Sequence, residues 1–220
     1  DVYSSLNKLH FAAPSKWMLS RFAESSIYEY GDSSIAVNPI NKAFFEGQAP
    51  RLQLVNKKIR LGFAAANLDD PTKGFSDVRS ALMELQRQDL ISLHLAGRAS
   101  DGFVKANKWA SFWGPQTING MKSFYDEIDC LIVPSRFEAL GLVSIEAQSR
   151  GVPVIVRNEG GLPDTVSQGG GWTYSHPSEI QKIIENMSRD YVDKSRLGVM
   201  TSANHSVEAV AHRYDQILRN

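Results

Sequence analysis

The amino-acid sequence predicts an α/β fold in which a doubly wound parallel sheet is covered by helices on both faces. Strand-like and helix-like segments alternate through most of the 220 residues, which is the pattern of a parallel sheet with crossover helices. The predicted strands are short and apolar, as strands buried on both faces are. Polar and glycine-rich segments follow the strand ends, where sheets of this kind bind ligands in a crevice.

The first elements are separated from the rest by a stretch of weak periodicity. Residues 9–13 are apolar and end at a Pro-Ser pair, so they predict a buried strand. Apolar residues recur near helical spacing over residues 17–23 and predict a helix. Residues 31–34 are typical of a turn, and residues 35–37 predict a second strand that an Asn-Pro pair ends. From there to residue 50 the sequence indicates a linker.

From Ile59 onward the alternation becomes more regular. Strands are predicted at residues 59–66, 91–96, 109–113, 130–133, 152–156 and 172–174. Helices are predicted at about residues 75–88, 118–128, 142–150, 178–188, 192–202 and 206–218. Right-handed crossovers between successive strands would place these elements in one parallel sheet.

Composition and motif content exclude several classes of function. Apolar residues make up 42% of the sequence, enough for a core, and 24 basic residues balance 24 acidic ones. Because these charges cancel, the protein has no overall positive charge that would attract nucleic acid, and we expect no nucleic-acid partner. The single Cys130 precedes an apolar run and predicts a buried thiol. The histidines lack metal-ligand spacing, and neither a Walker loop nor a Gly-x-Ser-x-Gly elbow is present.

The strongest chemical signal is the strand-loop-helix unit that begins at Cys130. After the strand, a loop carries Glu138, and Gly141 allows a close backbone approach before the helix. The first amides of that helix, at Leu142 and Val143, have no partners within it and suit a diphosphate. Glu146 lies about one turn further on, within reach of a ribose. Carboxylates accept paired hydrogen bonds from vicinal hydroxyls, so both glutamates fit a sugar-containing ligand.

This unit resembles the donor-site motif of retaining GT-B glycosyltransferases of family 4. The likeness rests on residues 134–147, with two glutamates at the spacing of that motif, and on Gly-Val-Pro-Val-Ile at residues 151–155. It implies that the chain is the Rossmann-like C-terminal half of a GT-B fold, with a short remnant of the N-terminal domain. Residues 1–46 would be the end of the acceptor domain and the hinge, and residues 47–220 the donor domain. We interpret the chain as a piece of a longer protein.

The resemblance assigns roles to individual residues. It implies that Lys73 binds the donor diphosphate, that the backbone at Gln116 reads the base, and that the loop at Gly160 and Gly161 lies at the donor sugar and phosphates. Glu138 and Lys73 are therefore the expected catalytic residues. The expected donor-binding residues are Glu146, Gly141, Leu142, Val143, Gly160, Gly161, Gln116 and Asn67.

One departure from the family pattern concerns the phosphate site. Many members carry an arginine five to seven residues before the lysine, and Ala66-Asn67-Leu68 stands there instead. Arg98, Lys105 or Arg136 could supply the positive charge of the absent arginine. Otherwise the donor phosphates are bound more weakly.

The resemblance implies transfer of a hexose from a nucleoside-diphosphate sugar to a glycan or lipid-linked acceptor, with retention at the anomeric carbon. No metal and no cofactor is expected, and the acceptor would be held mainly by the N-terminal domain. We expect a cytoplasmic protein, with a peripheral position at the inner face of the membrane as a further option for the whole protein. Two alternatives stay open: a non-catalytic GT-B partner subunit, and a nucleotide-sugar 2-epimerase.

Overall fold

The fold is known from a computed structural model that describes residues 9–26, 28, 31–54 and 58–219. The first eight residues of the predicted acceptor-domain remnant lie outside these ranges. The strands are β1 (His10–Ala13), β2 (Asp32–Ile35), β3 (Ile59–Asn67), β4 (Ile91–Arg98), β5 (Ser111–Gly114), β6 (Cys130–Val133), β7 (Val154–Arg157) and β8 (Gly171–Tyr174). The α-helices are α1 (Lys16–Ala23), α2 (Phe75–Arg87), α3 (Asp101–Ala106), α4 (Ile118–Glu127), α5 (Leu142–Ser149), α6 (Leu162–Val166), α7 (Glu179–Asn186), α8 (Tyr191–Ser202) and α9 (Val207–Arg219).

Six strands form one parallel sheet in the order β5-β4-β3-β6-β7-β8. The chain first builds outward from β3 through β4 to β5, and then returns to the other side of β3 with β6. This change of direction makes the boundary between β3 and β6 a topological switch point, where open α/β sheets hold their ligands. The predicted fold class is confirmed.

Helices bury the sheet from both faces, as the continuous apolar strands require. On one face, Leu61 and Ile132 pack in a cluster with residues of α2 and α7, including Leu82 and Ile180. On the other face, the second apolar cluster combines strand residues with residues of α4 and α5. Successive residues of β6 belong to opposite clusters because strand side chains alternate between faces. Cys130 is fully buried, as predicted.

The start of the chain differs from the prediction. Residues 31–34 were expected to form a turn before a strand at 35–37, but the strand β2 covers Asp32–Ile35. It pairs in parallel with β1, so the ladder between the two strands overrides the turn preference of Gly31-Asp32-Ser33-Ser34. Gly31 lies so close to β1 that a Cβ there would stand 2.3 Å from the carbonyl oxygen of Leu9.

Other differences are small. The strand predicted at residues 109–113 begins at Ser111, and two short helices, α3 and α6, occupy segments in which no helix was predicted. Helix α6 begins directly after the Gly160-Gly161 pair. Its five residues are too few for apolar periodicity to show in the sequence.

The early elements are attached to the rest of the chain through polar contacts. The carboxylate of Asp164 accepts hydrogen bonds from the backbone amides of Lys16 (2.7 Å) and Trp17 (3.3 Å) at the start of α1. His205 Nδ1 lies 2.9 Å from the carbonyl oxygen of Asn38. No helix within the described ranges is long and apolar enough to cross a membrane.

Candidate functional site

A cleft opens at the switch point, beyond the carboxyl ends of β3 and β6. Its first part, which we call the lysine lobe, has a volume of about 380 Å³. The lysine lobe is lined by Asn38, Ala64, Ala65, Ala66, Lys73, Ser135, Glu138, Ala139, Leu140, Gly141, Leu142 and Val143. Five of the ten predicted site residues therefore line one lobe, although they come from two separate strand ends.

The start of α5 supplies backbone amides to the lysine lobe. Gly141 stands at the N-cap with φ of +91°, a left-handed conformation that favours glycine, and no described side chain caps the helix. Ser144 makes the first hydrogen bond of the helix, from its amide to the carbonyl of Gly141 at 3.0 Å. The amides of Leu142 and Val143 precede that bond, so they carry the partial positive charge of an open helix N-terminus.

Lys73 and Glu138 meet across the lysine lobe. The ammonium of Lys73 lies 2.6 Å from Glu138 Oε1, and the two side chains are 30% and 21% exposed. Lys73 ends a short 3-10 turn after β3, and Gly74 follows it in a left-handed conformation with φ of +70°. A Cβ on Gly74 would lie 2.0 Å from the carbonyl oxygen of Pro134. The close approach of the two turns therefore places the lysine and the glutamate opposite each other.

Gly160 and Gly161 pack against the backbone of the loop that carries Glu138. The amide of Gly161 donates to the carbonyl oxygen of Glu138 at 2.8 Å. A Cβ on Gly160 would lie 2.7 Å from that same oxygen, and one on Gly161 would lie 2.1 Å from the carbonyl oxygen of Ala139. Neither glycine is among the residues that line the lysine lobe. Their observed contact is with the loop that carries Glu138, and a direct contact with a ligand stays a prediction.

A second lobe continues from the first. This glutamine lobe has a volume of about 330 Å³ and shares Val143 and the three alanines at the end of β3 with the lysine lobe. It is lined by Ala64, Ala65, Ala66, Ala96, Gly97, Arg98, Pro115, Gln116, Met121, Val143 and Glu146. The small side chains along β3 leave the space that both lobes occupy. The lobes adjoin at these shared residues and form one cleft, in which Glu138 lines the lysine lobe and Glu146 the glutamine lobe.

Glu146 is held by a partner that the sequence did not reveal. The hydroxyl of Tyr125, on α4, donates a hydrogen bond to Glu146 Oε2 at 2.8 Å. Burial raises the pKa of the Glu146 carboxyl, and the hydrogen bond from Tyr125 partly offsets that rise. Tyr125 itself is fully buried, which raises the pKa of its phenol well above the usual range. In the sequence Tyr125 could only be taken as an apolar residue of a helix.

Gln116 lines the glutamine lobe, and the contact of its backbone with the base stays a prediction. Its side-chain amide folds back to donate to the carbonyl of Trp113 at 2.5 Å. Asn67 is different: it stands at the end of β3, where its side-chain oxygen accepts from the amide of Asp69 at 3.2 Å, and it lines neither lobe. Asn67 therefore shapes the turn after the strand.

Of the three basic residues that could compensate for the absent arginine, Arg98 is the one that lines the cleft. Its Nε lies 3.4 Å from the carbonyl oxygen of Ala66, and its two terminal nitrogens form no hydrogen bond with any residue that the structure describes. Arg136 instead forms a two-pronged pair with Asp77 in the first turn of α2, with a distance of 2.8 Å from Nε. Arg157 binds the same carboxylate at 2.6 Å, and these two arginines hold the pKa of Asp77 well below its usual range. Lys105 lines neither lobe.

Comparison with known proteins identifies the family of the chain. The family described as "Glycosyl transferases group 1" matches residues 58–193. A Klebsiella pneumoniae protein described as an uncharacterized 41.2 kDa protein in the cps region is 27% identical over 178 residues, which are 74% of this chain and 49% of that protein. A D-inositol 3-phosphate glycosyltransferase from Mycolicibacterium gilvum is 30% identical over 127 residues, 57% of this chain and 28% of that protein. The chain thus spans about half the length, or less, of these curated relatives.

Solved structures share the fold over nearly the whole chain. Sucrose-phosphate synthase from Thermosynechococcus elongatus superposes with a TM-score of 0.73 at 20% identity, covering 99% of this chain and 59% of that one. HepE from Anabaena, solved in complex with UDP and glucose, gives a TM-score of 0.72 at 16% identity over 95% of this chain and 62% of that one. The six-stranded sheet matches the Rossmann-like C-terminal domains of GT-B glycosyltransferases. The chain belongs to the group 1 glycosyltransferases of the GT-B type.

Proposed function

We propose that this chain is the donor half of a retaining glycosyltransferase and that its cleft binds a nucleoside-diphosphate sugar. In this proposal the whole protein transfers a hexose to a glycan or lipid-linked acceptor, which the N-terminal domain mainly holds. Neither a metal ion nor another cofactor takes part.

One observation supports the proposal: two adjoining lobes at the switch point are lined by groups suited to each part of a nucleotide sugar. In the lysine lobe, Glu138 suits the sugar hydroxyls. Lys73 and the open amides at the start of α5 suit the diphosphate. Glu146 and Gln116 lie in the glutamine lobe for the ribose and the base.

The mechanism follows from where charge develops. Cleavage of the bond between the sugar and the diphosphate leaves negative charge on the leaving phosphate. The amides of Leu142 and Val143, two residues that line the lysine lobe, would stabilise that charge, and so would the ammonium of Lys73 once it has separated from Glu138. Glu138 would orient the sugar hydroxyls. Arg98 would supply the second cationic contact that the family usually draws from an arginine before the lysine.

The relatives support the choice of ligand. HepE was solved with UDP and glucose, and TarM from Staphylococcus aureus was solved with UDP. Both share the fold of this chain, with TM-scores of 0.72. The resemblance of residues 134–147 to the donor motif of the retaining enzymes supports retention of configuration.

Calorimetric titration of the chain with UDP, ADP and GDP tests the proposal directly. At least one diphosphate should bind, and Lys73→Ala and Glu146→Gln should each weaken its binding. Loss of one charge-assisted hydrogen bond corresponds to about 1.5–3 kcal/mol, or roughly tenfold to a hundredfold in Kd. Lys105→Ala is the matched control, since this lysine lies outside both lobes and should leave Kd unchanged.

The same experiments separate the alternatives. Failure of the whole, folded protein to bind any nucleoside diphosphate would favour a non-catalytic partner subunit. An epimerised sugar nucleotide, detected by NMR after incubation without acceptor, would indicate a 2-epimerase. A transferred hexose in the same anomeric configuration as the donor would support the proposal, whereas an inverted one would contradict retention.

A further inference from the structure

The carboxylate of Glu138 already pairs with the ammonium of Lys73, so it competes with a bound diphosphate for that ammonium. The lysine ammonium, which faces the space proposed for the phosphates, is already 2.6 Å from a carboxylate oxygen. Both side chains line the lysine lobe and are mostly buried, so bulk water screens their interaction less than it would on an open surface. A diphosphate that approaches Lys73 must therefore approach the negative charge of Glu138 as well.

Two hydrogen bonds anchor the backbone of the loop that carries Glu138. The carbonyl of Glu138 accepts from the amide of Gly161 at 2.8 Å. The next carbonyl, of Ala139, accepts from the hydroxyl of Ser15 at 2.5 Å. Separation of the pair therefore requires rotation of the Lys73 or the Glu138 side chain, and either rotation leaves a half-buried carboxylate in need of new donors.

A complete donor supplies those donors and a bare diphosphate does not. The hydroxyls of a hexose can donate to both oxygens of a carboxylate, which compensates Glu138 for the loss of the ammonium. A nucleoside diphosphate brings only more negative charge. Once Lys73 binds the phosphates, a nucleotide sugar therefore gives the Glu138 carboxylate new hydrogen-bond donors, whereas a nucleoside diphosphate does not.

We propose that Glu138 is a specificity-determining residue, which through its ion pair with Lys73 makes the cleft prefer a nucleotide sugar over the bare nucleoside diphosphate. This inference rests on the proposed function and goes beyond it. After transfer, the sugar no longer engages Glu138, and the carboxylate competes again for Lys73. The pair therefore favours release of the diphosphate product.

Calorimetry on the whole protein with Glu138→Gln tests this inference. The probes are UDP, ADP and GDP and the corresponding glucose nucleotides, without acceptor. The variant should bind the diphosphate about tenfold more tightly, because a negative charge is removed beside it. Its affinity for the glucose nucleotide should stay level or fall. The ratio of the two dissociation constants, diphosphate over glucose nucleotide, should therefore fall at least tenfold.

Glu208→Gln is the matched control. Glu208 is an exposed glutamate of α9 that lines neither lobe, and its replacement removes the same charge without touching the ion pair. The ratio should not change in this variant. If Glu138→Gln does not fold, as judged by its melting curve, Glu138→Asp replaces it: the shorter side chain keeps the charge but withdraws the carboxylate from Lys73, and the ratio should again fall.

The outcomes distinguish this inference from the function on which it rests. If the wild-type protein binds no nucleoside diphosphate, the proposed function fails and the inference fails with it. If the wild type binds a diphosphate in a manner that depends on Lys73, but the ratio is unchanged in the Glu138 variant, only the inference is overturned. Equal weakening of both ligands in that variant would also overturn it.

Discussion

Replacement of Tyr125 by phenylalanine isolates one hydrogen bond in the cleft. The hydroxyl of Tyr125 donates a hydrogen bond to Glu146 Oε2 at 2.8 Å. The side chain of Tyr125, on α4, is fully buried. Phenylalanine keeps the ring, so its contacts with Phe44 and Phe124 should survive. What is lost is the donor to a half-buried carboxylate. Leaving a buried polar group without its partner costs about 1–3 kcal/mol, which lowers Tm by roughly 2–12 °C in a domain of this size.

The deficit of this variant should depend on pH. Burial raises the pKa of Glu146 in the folded chain, and without the hydrogen bond from Tyr125 that pKa rises further. A carboxyl with a raised folded pKa keeps its proton where the unfolded chain has lost it, so stability falls as pH rises through that window. The variant should therefore be most destabilised above the folded pKa of Glu146. At lower pH, where the carboxyl is neutral in both states, the difference from wild type should shrink.

Urea denaturation at several pH values from about 3.5, below the pKa of an unfolded glutamate, to about 8 measures this effect. Wild type, Tyr125→Phe, Glu146→Gln and the double variant form a cycle, and the two changes should be less than additive because they remove the same contact. Tyr214→Phe is the control, since this tyrosine of α9 is 41% exposed. A variant as stable as wild type throughout, or a deficit that grows as pH falls, would refute the reasoning.

Three further predictions follow from other contacts. Arg98→Ala should weaken nucleoside-diphosphate binding in calorimetry, and unchanged affinity would remove Arg98 as the second phosphate partner. Gly161→Ala should lower the free energy of unfolding by about 1–3 kcal/mol, because the new Cβ would stand 2.1 Å from the carbonyl oxygen of Ala139. Gly102→Ala is its control: the nearest atom is 3.7 Å away, so thermal melting should show no loss. Asp77→Asn should destabilise the chain at neutral pH, and the deficit should start to shrink as pH falls below about 4, the pKa of an unfolded aspartate. It should go on shrinking toward the depressed pKa of Asp77 in the folded chain, because in that window the unfolded chain takes up a proton that the folded chain does not.

The sheet could be predicted because its elements follow strong local rules. Strands such as β6 are short, apolar and bounded by proline or glycine, and they alternate with segments of helical period. The same rules failed at β2, where Asp32-Ser33-Ser34 looks like a turn and is made a strand by pairing with β1. Pairing between segments about twenty residues apart leaves no mark in a local pattern.

The site could be predicted only in part, for a similar reason. The open N-terminus of α5 could be predicted, because a glycine at position 141 that follows a predicted strand indicates the start of a helix with free backbone amides. The pairing of Lys73 with Glu138 and of Tyr125 with Glu146 did not, since each joins residues from different elements. The sequence also did not show that the side-chain oxygen of Asn67 accepts a hydrogen bond from the amide of Asp69 in the turn after β3, and the expected contact of Asn67 with the donor stays a prediction. The type and the sequence position of a residue do not show which partner its side chain binds in the folded chain.

A crystal structure of the chain with the nucleoside diphosphate that binds best would show directly which groups hold the donor. We predict that the diphosphate lies within hydrogen-bond distance of Lys73 Nζ and of the amides of Leu142 and Val143. The ribose should contact Glu146, and the ion pair between Lys73 and Glu138 should be lengthened. If the diphosphate is bound elsewhere on the chain, with Lys73 still paired to Glu138 and the amides of α5 untouched, the cleft is not the donor site.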